Sequence, residues 1–552
     1  MIADQIIKNA KIFTSNKDYP EASAFAVKDG KFVYVGDEAG LSEYEGEVTD
    51  LGGEFIMPAI IDSHIHATIS VAFDYVNLGE RIDCANKQEA LDFMAEYIRN
   101  NPGLESYRFI MPKVTLQGAE LSKEDLDVIC PDGEIVILEE ECHSVWVNSK
   151  VLEKHGITDD TPDPAPGICY YVRKDGHVTG NVFEGAGWPF LFDQLQKTLT
   201  DDQIEASFTR WIDFCKEYGV SAVFDAGFPE HNEWQERFYK YLQGMDRQGK
   251  LPVYVDGSYF LTNRRKVQEV LEGTKRWNRE FTTKHMKVHT FKLFMDGTQK
   301  IHTAAMVTPY ADTGEKGSTT LNAEEVADLL IKLNEEGLDL HVHTVGSQAS
   351  RVVLDGVELA RKELGDDYHV RVTCAHLEVQ EDADLDRFAE LGVIANFTPW
   401  WNIGGDLPEK IALLGEEHAR KQFRCRTMWD SGALVTWSSD NVAFLDFAPW
   451  NPYLGMEVGM TRCAGEKTNI YDYMKIGEVY PPENEVLNVE EMILGYTING
   501  AKQLGIEDEK GSIEAGKDAD FLVFDNDLLT AEHEGFSQNK PAEVYFEGKK
   551  VK

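Results

Sequence analysis

From residue 222 to residue 439 the chain repeats one pattern: a short apolar run rich in β-forming residues, then a longer stretch whose apolar positions recur at helical spacing. The runs are 222–225 (AVFD), 290–294 (TFKLF), 338–343 (LDLHVH), 370–376 (VRVTCAH), 393–398 (VIANFT) and 434–439 (LVTWSS), with helical patterns such as 323–336 and 381–391 among them. Repeated strand–helix order calls for a parallel sheet, because each helix must carry the chain back across the sheet before the next strand begins. Such a sheet is either closed as a barrel or open and doubly wound. No glycine fingerprint for a dinucleotide or a phosphate loop stands in the sequence, which weakens the open alternative.

The two ends read differently. Residues 6–15 (IIKNAKIFTS) alternate in polarity, and 24–27 and 31–35 flank Asp29-Gly30, a strong hairpin signal. Near the other end 519–524 (ADFLVF) and 543–546 (EVYF) are strand-like, and Glu547-Gly548-Lys549 marks another turn. β-Rich ends around an α/β middle can pair into one small domain. Residues 70–200 break the rhythm with Pro- and Gly-containing segments and read as an insertion. At ~150 residues per domain, a chain of 552 makes about three or four units, or one large barrel with appended pieces.

Charge bears on partners more than on fold. With 54 basic against 96 acidic residues the formal charge is −42, which repels phosphate backbones and anionic lipid headgroups. A small-molecule substrate is expected, with neither nucleic acid nor membrane as partner; a homo-oligomer is left open. The eight cysteines form no CxxC pair and read as reduced thiols. The first residues show no basic segment leading into an apolar core, and no apolar stretch approaches the ~20 residues of a membrane span. A cytoplasmic protein is the expectation.

Chemistry concentrates where the apolar runs end. Residues 58–66 (PAIIDSHIH) close on His64 and His66; residues i and i+2 of a strand share a face, so the two imidazoles can converge on one cation. Taken alone, two unrelated polar residues at a strand end would look the same. His343 closes LDLHVH, His376 closes VRVTCAH, and Asp440 follows LVTWSS. Lys292 lies inside TFKLFMDG, where a lysine is costly to bury unless it is paired, for example with Asp296, or chemically altered. Metal-binding residue types at the C-terminal ends of separate strands are what a barrel active site requires.

These segments are similar to the amidohydrolase superfamily, in particular its amidohydrolase-3, YtcJ-like branch, which includes N-substituted formamide deformylase. The resemblance runs through MPAIIDSHIHA (57–67), ECHSVWVNSKVL (141–152), GNVFEGA (180–186), FKLFMDGTQ (291–299), TAAMVTPYAD (303–312), HVHTVGSQA (341–349), CAHLEV (374–379), WSSDN (437–441) and GSIEAGKDADFLVFD (511–525). It implies an α/β fold: a (β/α)8 TIM-like barrel over 57–496, a small β-sandwich from 1–56 plus 497–552, and an inserted α+β segment at about 70–200. It also implies a metal centre of one or two ions, usually zinc. His64 and His66 would hold the buried ion, His343 and His376 the more exposed one, and Lys292 would be carboxylated to bridge them. Asp440 would be both ligand and base. The family's HxxGD is here His343-Thr344-Val345-Gly346-Ser347, without the acid. His341 shares a strand face with His343, and the motif rather than physics selects His343.

Other residues carry weaker signals. His143, after the acids Glu139–Glu141, is a candidate catalytic group that contacts substrate or stabilises an oxyanion, with a helix cap as the alternative. Glu184, Trp400 and Trp437 are candidate substrate contacts; Trp401 and Trp450 could join a wall for an aromatic or apolar group, though core packing is the commoner role. Arg424 and Arg426 could clamp a carboxylate, against a default of surface ion pairs. The expected activity is hydrolysis of a non-peptide C–N bond (amide, formamide or N-acyl) by metal-activated water, with ester or lactone hydrolysis, ring deamination, or a silent scaffold as alternatives.

Overall fold

Eight strands hydrogen-bond in chain order into one parallel sheet: β1 (Ile60–Ile65), β2 (Val220–Asp225), β3 (Tyr254–Leu261), β4 (Met286–Phe294), β5 (Asp339–Thr344), β6 (Val372–His376), β7 (Ile394–Phe397) and β8 (Val435–Trp437). Just past β8 the sheet meets its own beginning. The Asp440 N–H donates to the His64 carbonyl at 2.9 Å, the His66 N–H to the Asn441 carbonyl at 3.0 Å, and the Ser63 hydroxyl to the Trp437 carbonyl at 2.7 Å. This is the α/β barrel expected from the sequence. The computed structural model describes residues 1–552 apart from 77–78, 112–114, 117–118, 140–141, 193–194, 230–231 and 443–449; Glu140 and Glu141 therefore lie outside the described residues.

Local chemistry explains where the helices begin and end. Helix Ala323–Glu336 fills its predicted range, capped by a reciprocal Asn322–Glu325 box and ended by Gly337 at φ 64°. The pattern at 381–391 is α-helical only over Leu385–Leu391, after a 3-10 turn at Asp382–Asp384. There the buried Asp384 carboxylate is held by Arg351 at 2.8 Å and Arg387 at 3.0 Å, fixing the point at which the α-helix starts.

Both termini contribute to a pair of sheets. Phe55–Pro58 pairs with Lys11–Phe13 on one side and, antiparallel, with Phe521–Phe524 on the other. A second sheet orders Lys31–Gly36, Ala24–Lys28, Ile2–Lys8 and Glu45–Asp50. Ile7, Phe25, Phe32, Ile56, Phe521 and Tyr545 form one apolar cluster shared by the two. Asp29 and Gly30 both take positive φ (51° and 80°), as the tight turn between 28 and 31 requires. Between β1 and β2 the chain builds a separate six-stranded sheet with helices Lys87–Asn100 and Lys123–Ile129 and its own apolar cluster around Phe109, Ile137 and Trp146. Among the described residues no helix is long and apolar enough to cross a membrane.

A charged network lies toward the start of β3–β5. The buried His289 bridges Asp256 at 3.0 Å and Asp339 at 2.9 Å, and Arg371 donates to Asp339 at 3.0 Å. Burial alone would depress His289, but Asp256 and then Asp339 outweigh it and raise its pKa above the ordinary 6.5. A raised folded-state pKa adds stability that is complete below about pH 6.5 and is lost as pH rises through the folded value. Urea unfolding of wild type and His289→Gln is therefore expected to show a wild-type advantage at pH 6 that shrinks by pH 9, at a slope of up to about 1.4 kcal/mol per pH unit. An advantage independent of pH would refute the charged imidazolium.

Candidate metal centre

The strand ends bring the predicted residues together. His64 lies in β1 and His66 just beyond it; Lys292 is in β4, His343 in β5, His376 ends β6, and Asp440 follows β8. The parallel register aligns Lys292 with His341, Phe294 with His343, and Thr344 with His376, so side chains from adjacent strands enter the barrel in layers. His376 and Asp440 are held at φ 79° and 48°, a region that non-glycine residues rarely occupy and that recurs at functional sites.

Asp440 faces two groups at once. Its Oδ1 is 3.3 Å from His64 Nε2 and 3.5 Å from His66 Nε2, while Oδ2 is 3.7 Å from His376 Nδ1. One ligand atom from each of His64, His66 and Asp440 lies within 4.8 Å of the others, close enough to share an ion. The rings of His343 and His376 are 4.3 Å apart. Of the fifteen buried side-chain polar atoms without a hydrogen-bond partner among the described residues, five gather here: His64 Nε2, Lys292 Nζ, His343 Nε2, His376 Nδ1 and Asp440 Oδ1. A buried unpaired donor or acceptor costs about 1–3 kcal/mol. Five on one set of strand ends are hard to reconcile with a merely structural role, whereas nitrogen and oxygen donors of this kind suit a divalent cation.

Electrostatics prepares the donors. Burial above all holds His64, His343 and His376 far below their usual range and pushes His66 down to about 3, so each keeps a lone pair at neutral pH. Burial also drives Lys292 down and Asp440 up, each opposing the other's shift through its charge. The pairing of Lys292 with Asp296 weighed from the sequence does not form. Asp296 instead accepts the N–H groups of Ala305 (2.9 Å), Val345 (3.0 Å) and Gly346 (2.8 Å), bracing the loop after His343. Ser347, where the family pattern has an acid, accepts the Val307 N–H at 3.1 Å and donates to Glu381 at 3.1 Å.

The cluster floors a cavity of about 880 Å³. Trp400, Trp401 and Phe294 form part of its wall, Trp188 and His143 reach it from the inserted segment, and Gln299, Glu378 and Lys410 make it polar on one side. His143 Nδ1 donates to Glu184 at 2.6 Å. Glu184, with a side chain only 1% exposed, also accepts from the Thr303 hydroxyl at 2.7 Å and the Thr298 N–H at 3.2 Å. Gly297 stands against this carboxylate and Thr303, and a Cβ there would collide with both.

Several sequence expectations are corrected. Glu184 does not line the cavity; it is buried behind His143 and orients it. Trp437 is fully buried, stacked on Trp429 with its N–H aimed at the Glu491 carbonyl, because a β8 side chain at that position points into the surrounding helices. Trp450 packs on Phe214. Arg424 pairs with Glu485 and Asp382, and Arg426 with Glu491 and Asp430, so both are ion-pair formers, as the default had it. Gln299 and Glu378 were passed over, although both fall in segments of the resemblance; so was Asp62, which burial pushes up to about 7 as it accepts the Ser439 N–H at 3.0 Å.

A closed parallel barrel carrying a histidine- and carboxylate-lined centre at the strand ends defines a hydrolase of the metal-dependent barrel type. The sequence profile of the amidohydrolase family matches residues 47–552, and the chain belongs to that family. It is 26% identical to N-substituted formamide deformylase of Arthrobacter pascens, over 95% of this chain and 94% of the relative. It is 28% identical to the exoenzymes regulatory protein AepA of Pectobacterium carotovorum subsp. carotovorum, over 79% and 93%. A metal-dependent hydrolase of uncharacterised function from Pyrococcus horikoshii OT3 superposes with a TM-score of 0.66 over 96% of this chain and 99% of that one; at 22% identity this likeness bears on the fold.

Proposed function

We propose that this amidohydrolase cleaves a non-peptide C–N bond, in an amide, formamide or N-acyl compound, of a small molecule with an apolar or aromatic arm. The observation that carries the reading is the set of four unpartnered polar atoms, on Lys292, His343, His376 and Asp440, at the floor of a largely apolar cavity, with His64 Nε2 buried 3.3 Å from Asp440 beneath it. His64 and His66 with Asp440 would hold one ion, and His343 and His376 beside Asp440 would hold a second, zinc being the metal proposed. Lys292, pushed down to about 7 by burial, can add its amine in the neutral form to carbon dioxide with loss of one proton, giving a carbamate that would offer oxygen ligands beside both sets. Divalent ions bound there would lower the pKa of a bound water to about 7 and supply a Lewis acid for the carbonyl.

The chain's own residues do the rest. Asp440, raised by burial, takes a proton from the attacking water and passes it to the leaving nitrogen, serving as base and then acid. With its Nδ1–H given to the Glu184 carboxylate, His143 donates to the oxygen on which negative charge develops only as an imidazolium, through Nε2–H, a form that the adjoining carboxylate favours. Trp400 and Trp401 hold the apolar arm and keep bulk water from the reacting carbonyl. The test is a panel of N-formyl and N-acyl amines against matched esters, assayed with zinc present. Amine release from aryl- or alkyl-substituted amides is expected; turnover of the esters alone would overturn the C–N assignment.

A further inference from the structure

We infer that His341 is a positioning residue, which fixes the ring and tautomer of His64 from beneath and is not itself a ligand; this rests on the reading of His64 as a metal ligand given above. His341 Nε2 lies 2.9 Å from His64 Nδ1, and the two rings meet edge-on at 4.7 Å. On its other side the His341 ring stacks on Phe224 at 4.3 Å, nearly parallel, and only 2% of the residue is exposed. It is pinned between an aromatic face and the imidazole it serves. His343 lines the large cavity and His341 does not, so the two histidines that share a strand face are separated by layer.

The two histidines of the β1 end are supported differently. His66 Nδ1 lies 2.8 Å from the Gly227 carbonyl, which can only accept, so His66 carries its proton on Nδ1 and presents the Nε2 lone pair. For His64 the same place is taken by an imidazole, which can accept or donate. If His341 accepts, His64 is protonated on Nδ1 and its Nε2 lone pair faces Asp440. If His341 donates, His64 must carry its proton on Nε2, 3.3 Å from Asp440 Oδ1, and cannot bind a cation. Ligand competence of His64 therefore requires His341 to hold its own proton on Nδ1. A small polar cavity of about 10 Å³, bordered by His341 with Asp256, Thr290, Asp339, Thr373 and Gln503, offers room for about one water as that proton's acceptor.

The test is zinc affinity, measured by competition with a chromophoric chelator, alongside zinc stoichiometry and the melting of metal-free protein. His341→Phe keeps the stack and removes the acceptor; His341→Ala removes both without adding bulk and decides the matter if the phenylalanine variant does not fold. Each is expected to bind zinc about 10- to 100-fold more weakly at unchanged stoichiometry, and His341→Gln, whose amide oxygen can accept, to recover most of the loss. Wild-type affinity in the phenylalanine or alanine variant, no recovery with glutamine, or loss of a full equivalent of zinc would each overturn the positioning role. His64→Ala separates the two readings. If it binds zinc as wild type does, the ligand assignment fails and this inference with it; if it loses zinc while His341→Phe and His341→Ala do not, only the inference fails.

Discussion

Asp440→Asn is expected to reduce kcat for amide hydrolysis by about 10²- to 10⁴-fold, the range that a general acid–base group contributes. The substitution is nearly isosteric, and asparagine tolerates the positive φ that Asp440 adopts (48°), so the strand end should keep its shape. The amide oxygen can still face His64 and His66, but the side chain can no longer accept a proton. Because the carboxylate stands 3.3–3.7 Å from three histidines, zinc content must be measured on the same preparation. A fall in kcat that exceeds the fall in occupancy assigns proton transfer to Asp440. Wild-type kcat at full occupancy would remove Asp440 from the chemistry.

The same strand ends show what could be read from the sequence. That His64, His66, His343, His376 and Asp440 gather at one end of the barrel was legible, because each terminates or follows an apolar run and parallel strands in a barrel bring such ends together. The strand β3 was not. Its sequence, YVDGSYFL, contains Asp-Gly, which reads as a turn, yet all eight residues are buried in one extended strand. Tertiary contacts override the local signal: Gly257 lies against the Tyr239 hydroxyl, where a Cβ would clash, and Asp256 is held by His289. Trp437 failed for the opposite reason. Its position beside Asp440 suggested a pocket wall, but successive strand side chains alternate between the barrel interior and the helices outside it, and sequence proximity does not assign the face. Glu184 stood in a segment of the resemblance, but its role as an orienting carboxylate depends on His143, forty-one residues away, meeting it across a sheet.

Removing metal is expected to abolish turnover and lower the melting temperature, and added zinc to restore both. A ligand present at 1,000 times its Kd stabilises the folded state by about 4.1 kcal/mol, enough for a shift of several degrees. Lys292→Met separates the site's function from its effect on folding. The lysine is 1% exposed in an apolar strand and its Nζ has no hydrogen-bond partner, so the native chain bears the penalty of a buried amine. Methionine is of similar length and apolar, and fits the same space beside Phe260. The metal-free variant should therefore melt no lower than metal-free wild type, while losing most of the zinc-induced rise and, with it, turnover. That opposite pair of signs is what a residue kept for a bound cation must show, since a group selected for stability would lose stability when replaced. A metal-free variant that melts well below wild type, or one that keeps the full zinc response, would mean that Lys292 supports the barrel and not the metal centre.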